Sequence, residues 1–264
     1  SLEYKDSDKQ HTQDIEKIFD RAVDRRYAWL TGTEAGPGSG NTGEEIIRIS
    51  REHGYSPWVP QVQGHGIAER TDCWVAVRND LIEGQMEKRF ELVVPGSKQL
   101  EASTSHRFDQ RWGPKGVVSV HFESTNEAIG EVSIGAAHYI HGARTPADPA
   151  WEFNKELGRA IVDWAKEEGR GPAIVFYGGD QNMADNKNNE PQGDSFFGGP
   201  MSSVWDELHH WENTGHGNID IIATYNRDGR VSALDAVALS DKEFRLHMDH
   251  FLVEALIKVE PRKR

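Results

Sequence analysis

Cysteine is almost missing from this chain: Cys73 is the only one, which excludes an intramolecular disulfide and any multi-cysteine zinc ribbon. A lone thiol fits a reducing compartment. Long apolar runs are missing too, since nothing approaches the roughly 20 consecutive apolar residues that a bilayer span requires, and Ser1 to Asp8 is polar and charged. The expectation is a soluble, intracellular (cytoplasmic) protein with no membrane contact. Export stays open because the chain opens on Ser1 rather than Met, so a leader could have been trimmed. Positive charge is also short, with 30 Lys+Arg against 43 Asp+Glu and a formal net charge of -13. That balance argues against the broad basic footprint of a DNA-coating protein, whose affinity comes from neutralised phosphates. It does not argue against a hydrolase, in which clustered carboxylates surround a cation and product release is useful. The histidines at 209, 210, 216, 247 and 250 lack the regular helical pairing of a zinc-protease motif, so a structural zinc site is not expected.

What is present is an alternation of short elements, with no internal repeat or heptad. Ile15, Ile18, Phe19, Ala22 and Val23 have the spacing of one helix face and predict a helix over Thr12 to Tyr27. Ala28 to Glu34 reads as a buried strand ending in a carboxylate, Gly36 to Gly43 as a loop, and Glu44 to His53 as a helix closed by Gly54. Strands are predicted at Trp58 to Val62, Cys73 to Val77, Phe90 to Val94, Gly116 to Phe122 and Val132 to His138. A helix over Ala150 to Glu168 follows, with Phe153, Leu157, Ile161 and Trp164 on one face, and then a strand at Ala173 to Tyr177. Ala184 to Pro200 is rich in Asn, Asp, Gly and Pro and reads as a surface loop. The last third supplies strands at Ile219 to Thr224, Val231 to Leu239 and His250 to Val259.

Chemistry-bearing residues fall at the ends of these apolar runs: Glu34, Asp180 with Asn182, Asp220, and Asp249 with His250. Oxygen donors of this kind suit Mg²⁺ or Ca²⁺, and strand ends can converge at one sheet edge. Thr33-Glu34, Gly178-Gly179-Asp180-Gln181-Asn182, Ile219-Asp220-Ile221-Ile222 and Asp249-His250 together resemble, in order and spacing, the deoxyribonuclease I-like endonuclease/exonuclease/phosphatase superfamily. The likeness spans nearly the whole chain. A lone Gly-Asp-x-Asn is weak, whereas four blocks in the right order are far more specific.

The resemblance implies an α/β (α+β) fold, a four-layer α/β/β/α sandwich of two mixed, largely antiparallel sheets flanked by helices, as one domain over residues 1–264. It implies a metal-dependent phosphodiesterase, a nuclease acting on DNA more than RNA, with Mg²⁺ (or Mn²⁺ or Ca²⁺) as cofactor and no obligate protein partner. Glu34 and Asp249 would be metal ligands, Asp180 and Asn182 would position water and phosphate, and Asp220 would orient His250 as general base or phosphate-binding imidazolium. His138, after Ala136-Ala137, stands where deoxyribonuclease-like members place a second histidine. Glu69 is one candidate for its carboxylate partner and Asp72 is another. Arg70 is a further candidate phosphate contact. The superfamily usually ends its first strand on an asparagine, and Ser1-Leu2-Glu3-Tyr4 stands at or just after that position without one. Either the chain begins beyond it or Ser1 replaces it, which would weaken the metal site.

Each piece also has a plainer reading. Glu34 alone could be an exposed carboxylate, Asp180 and Asn182 turn residues, and His138 a hydrogen-bonded core histidine. The loop from Arg107 to Lys115 carries Arg107, Arg111, Trp112 and Lys115, which could offer cations and a stacking ring to a nucleic-acid strand or form a solvated loop around a buried Trp. Phe196-Phe197 reads as a loop anchor. The same four blocks would serve a phosphatase or phosphodiesterase of inositol phosphates or phospholipids, or an inactive binding relative.

Overall fold

The computed structural model describes residues 8–35, 42–60, 71–93, 115–140, 149–171, 173–182, 201–210, 212–214, 220–225, 228–240, 242–247 and 250–261. In chain order the elements are α1 (Asp8–Arg25), β1 (Trp29–Gly32), α2 (Thr42–Glu52), β2 (Tyr55–Trp58), β3 (Trp74–Arg78), β4 (Ile82–Val93), β5 (Gly116–Ser124) and β6 (Glu131–His138). They continue with α3 (Pro149–Arg170), β7 (Ile174–Asp180), β8 (Met201–Ser203), α4 (Val204–Leu208), β9 (Asp220–Tyr225), β10 (Val231–Leu239) and β11 (Leu252–Val259).

Alternating side chains explain why these strands stack into layers. Along β5, β6 and β7, the residues Val118, Val120, Phe122, Ile134, Ala136, Ile174 and Phe176 share a buried cluster with Val75 and Val77 of β3. The residues between them, including Val117, Ala137, Val175 and Tyr177, pack instead with Leu157, Ile161 and Trp164 of α3. Period-two strands with both faces apolar must be covered on both sides, by a sheet on one and a helix on the other. The other sheet repeats the pattern: Trp74 and Ala76 of β3 turn away from Val75 and Val77 and meet Ile15, Ile18 and Phe19 of α1 and Ile46 and Ile49 of α2. The layers are therefore helix, sheet, sheet, helix, the four-layer α/β sandwich that the sequence implied.

One sheet has six strands in the order β4-β5-β6-β7-β9-β8, in which only β6 and β7 are parallel. Facing it are a three-stranded antiparallel sheet, β1-β3-β2, and the β10-β11 hairpin. The parallel β6–β7 register pairs His138 with Asp180, and the antiparallel β7–β9 register pairs Asp180 with Asp220. Three sequence-separated polar residues thus arrive at one sheet edge by strand pairing alone.

Several boundaries differ from the sequence reading. The strand expected at Trp58 to Val62 is Tyr55–Trp58, and the one expected from Phe90 is the end of a strand that begins at Ile82. The polar first half of β4, Glu-Gly-Gln-Met-Glu, hid it because its solvent-facing residues dilute the alternation. The strand expected to stop at Tyr177 continues through Gly178-Gly179 to Asp180. Glycines there are required by close approach: a Cβ on Gly178 would strike Thr31 of β1, and one on Gly179 would strike the Ala137 carbonyl. Strand β8 and the short helix α4 lie beyond the loop expected from 184 to 200, a segment outside the described residues. Among the described residues no helix is long and apolar enough to cross a membrane.

Candidate active site

The end of β7 is the centre of the site. Asp180 is buried, and the Asn182 N–H donates to its Oδ1 at 2.8 Å, an Asx turn that fixes the carboxylate. Asn182 adopts a left-handed backbone with φ 49 and donates from Nδ2 to the Tyr139 carbonyl at 3.0 Å, while Tyr139 N–H donates to the Asp180 carbonyl at 2.9 Å. The chain beyond β6 is pinned from outside by buried Asn154 of α3, which bonds both the N–H and the C=O of Ile140. Both strand exits are therefore tied together by hydrogen bonds.

Two histidine–aspartate pairs flank Asp180. On one side His250 Nδ1 lies 2.7 Å from Asp220 Oδ2, and its Nε2 is 3.9 Å from Asp180 Oδ2. On the other, His138 Nδ1 lies 3.0 Å from Asp72 Oδ2, and its Nε2 is 3.6 Å from the same Asp180 oxygen. Both rings thus turn their Nε2 toward one carboxylate oxygen, with the far nitrogen held by an acid, the arrangement that sets a ring's orientation and tautomer. Asp180, Asp220 and His250 also bring ligand atoms within 4.8 Å of one another.

Burial and neighbouring charge set the protonation states. Desolvation and the nearby Asp220 raise the Asp180 carboxyl above its ordinary value, against the pull of His250 and His138. Asp220 is also desolvated, but attraction to His250 and its hydrogen bond outweigh burial and lower it. Burial works against the His250 imidazolium, yet Asp220 and Asp180 more than offset it and push the ring up to about 9. Asp72 resists desolvation in the same way, lowered by His138 and Lys115.

Lys115 was grouped by sequence with the exposed cations of a substrate loop, and the structure corrects this. Its side chain is 1% exposed, and its Nζ lies 3.0 Å from His138 Nε2 and 3.7 Å from Asp72. Asp72, left as one of two alternatives by the sequence, is the carboxylate that holds His138. The other alternative, Glu69, lies outside the described residues with Arg70, Arg107, Arg111, Trp112 and Asp249, and so do Ser1 to Ser7 and Phe196-Phe197.

Glu34 stands two residues beyond β1, 5% exposed, with φ 64. A left-handed backbone is uncommon for any side chain and more so for glutamate than for asparagine, and such positions collect at functional sites. Thr31 of the same strand abuts Gly178, and the Ala35 N–H donates to the Asp72 carbonyl at 2.9 Å. Glu34 therefore emerges at the edge that holds Asp180 and Asp72.

Comparison with known proteins gives no family model that matches and no curated relative. Solved structures do match over nearly the full length. D. rerio TDP2 complexed with single strand DNA product has a TM-score of 0.62 at 14% identity, covering 96% of this chain and 94% of that one. The human Nocturnin catalytic domain with bound sulfate anion has 0.62 at 14%, covering 94% and 86%. A Bacteroides thetaiotaomicron mannosyl-6-phosphatase has 0.60 at 15%, covering 94% and 91%. An endonuclease/exonuclease/phosphatase from Bacteroides vulgatus has 0.63 at 14%, covering 94% and 90%. The chain has the endonuclease/exonuclease/phosphatase fold.

Proposed function

We propose that this chain is a divalent-metal-dependent phosphoester hydrolase, and more specifically a nuclease that cleaves DNA or RNA phosphodiesters by in-line attack of water, with residues 1–264 acting as one domain. The observation that supports this most is the placement of two aspartate-oriented histidines on opposite sides of buried Asp180. In-line displacement is accelerated by two proton-handling groups, one beside the entering oxygen and one beside the departing one. A single histidine–carboxylate pair would serve only one of them.

The donor set fits a hard cation. Asp180 is held in a cage of oxygen and imidazole donors without a thiolate, which suits Mg²⁺, Mn²⁺ or Ca²⁺. Glu34, Asp180 and Asp249 are the residues proposed to hold it. When bound, such an ion neutralises charge on the phosphate and polarises its oxygens. Asn182, whose Nδ2 donates one hydrogen to the Tyr139 carbonyl, would offer its other amide hydrogen to a phosphate oxygen, and His250, oriented by Asp220, would face the attacking water. Asp220 and, more weakly, Asp180 favour a proton on His250 near neutral pH, which suits the ring to a phosphate oxygen, and a cation held at Asp180 would weaken that pull and favour the base role. His138, oriented by Asp72, serves the leaving oxygen.

Among the similar folds, one carries single strand DNA product and another is a mannosyl-6-phosphatase. The first supports the nuclease reading, and the second keeps a small phosphoester as the competing one. Incubation with labelled supercoiled DNA, linear DNA, single-stranded RNA and a panel of sugar and inositol phosphates, with Mg²⁺ or EDTA, separates them. Metal-dependent cleavage of a polymer is the expected result. Turnover of the small esters alone would replace the nuclease reading.

A further inference from the structure

Asp14 is a charged residue where the helix pattern calls for an apolar one: it precedes Ile15 and lies one turn before Ile18, and its side chain is 0% exposed. Its carboxylate takes the backbone N–H of His247 on Oδ2 at 2.6 Å, and its Oδ1 lies 2.9 Å from His247 Nδ1. Lys17, one turn on, donates to the Arg245 carbonyl at 3.2 Å, and Leu246 is buried in the α1–α2 cluster. One helix face thus grips Arg245, Leu246 and His247 together. His250 follows three residues later, and from its other side the Phe251 N–H donates to the Thr214 carbonyl at 2.8 Å. Thr214 Oγ1 in turn accepts from the Asp220 N–H at 3.3 Å, so Phe251 and Asp220 share one anchor.

A carboxylate with no solvent exposure is a poor choice for stability alone, because its desolvation penalty offsets most of the gain and an apolar residue would fill the space as well. Its distinctive product is geometry: two directed hydrogen bonds fix one chain position. We propose that Asp14 is a positioning residue for His250, holding His247 three positions before it so that the imidazole meets both Asp220 and Asp180. The inference rests on the hydrolase reading for its kinetic consequence only. The alignment of His250 is observable without any turnover.

A control exists on the same helix. Arg21 pairs with Glu254 of β11 by two hydrogen bonds, one of them Nη2 to Oε2 at 3.1 Å, and so ties α1 to the same strand beyond His250. If α1 only glues the strand down, Asp14→Ala and Arg21→Met should behave alike. The experiment uses the full chain with Mg²⁺ and bis(p-nitrophenyl) phosphate, together with ¹H–¹⁵N spectra of the histidine rings. The expected result is that Asp14→Ala lowers kcat by about 10- to 100-fold with KM changed less than about 2-fold, and displaces the low-field Nδ1–H signal of His250. Asp14→Asn, which keeps the shape and one acceptor, falls between and gives the reading if the alanine variant does not fold. Arg21→Met lowers the melting temperature and leaves kcat and the signal in place. Equal effects of the Asp14 and Arg21 variants on kcat and the His250 signal, or no effect of Asp14→Ala on either, overturn the proposal. If the wild-type chain hydrolyses no phosphoester, the hydrolase reading falls. The His250 signal then decides the positioning claim alone: lost in the Asp14 variants and kept in Arg21→Met supports it, and kept in both overturns it.

Discussion

The six-stranded sheet carries a histidine–carboxylate cluster at each end, and the two are built from the same residue types to opposite effect. At one end, His121 of β5 bonds Ser133 Oγ of β6 at 2.9 Å, Ser133 donates to Glu168 of α3, and the two ring nitrogens each lie 3.3 Å from a carboxylate, Glu131 or Glu168. The hydrogen bond from His121, with further help from Ser133, outweighs burial and lowers the Glu168 carboxyl. Each acid there faces a donor of its own. At the other end, Asp180 has two histidines at 3.6 and 3.9 Å, beyond direct hydrogen bonding, and burial together with a second aspartate beside it raises its carboxyl. Asp180 receives a hydrogen bond from Asn182 on Oδ1, whereas both histidines face its Oδ2. A satisfied cluster stabilises, whereas a cluster holding like charges together is poised for a ligand.

Substitutions should separate the two ends. The largest effect is expected at the strained end: His250→Ala should lower phosphoester hydrolysis by about 100- to 10,000-fold with the circular dichroism spectrum unchanged. Asp72→Asn, which leaves His138 without the acid that orients it, should cost about 10- to 100-fold in kcat. Asp220→Asn should lower the His250 pKa from about 9 toward the ordinary value of about 6.5, readable by NMR titration of the ring. The sign follows from linkage: a raised histidine pKa gives stability that is complete below the unfolded value and is lost as pH rises through the folded one, so this variant should lose its stability deficit above about pH 9. The smallest effect belongs to the satisfied end. Glu168→Gln should leave activity intact and cost about 1–2 kcal/mol at pH 7, allowing for partial solvent screening. Because the Glu168 pKa is lowered on folding, that cost should be present above the unfolded carboxylate value and be lost as pH falls through the lower folded one in paired urea melts. A Glu168→Gln variant that lost activity would break the contrast between the two ends.

Much of this arrangement was legible in the sequence because strand ends are. Asp180, Asp220 and His138 terminate or begin apolar runs, and once those runs pair in register their termini coincide. Asn182 and Glu34 were legible for the same reason, although their left-handed backbones were not. What the sequence concealed depends on partners distant in the chain. Lys115, grouped with Arg107 and Arg111, read as part of a substrate-contacting or solvated loop, and only the β5–β6 pairing, which sets Gly116 opposite His138, turns it inward. Asp72 and Glu69 stood equally near the next strand, and only the fold assigns His138 to Asp72. Asp14 did leave a trace, an acid on an apolar helix face, but its partner lies 233 positions away.

The most direct test of the edge cluster as a catalytic centre is hydrolysis of bis(p-nitrophenyl) phosphate by the purified chain with Mg²⁺, with and without excess EDTA, beside an Asp180→Ala/His250→Ala double variant. We expect turnover that requires the metal and disappears in the double variant while that variant stays folded. Turnover that survives EDTA, that persists in the double variant, or that is missing for every phosphoester tried with metal present would contradict the account.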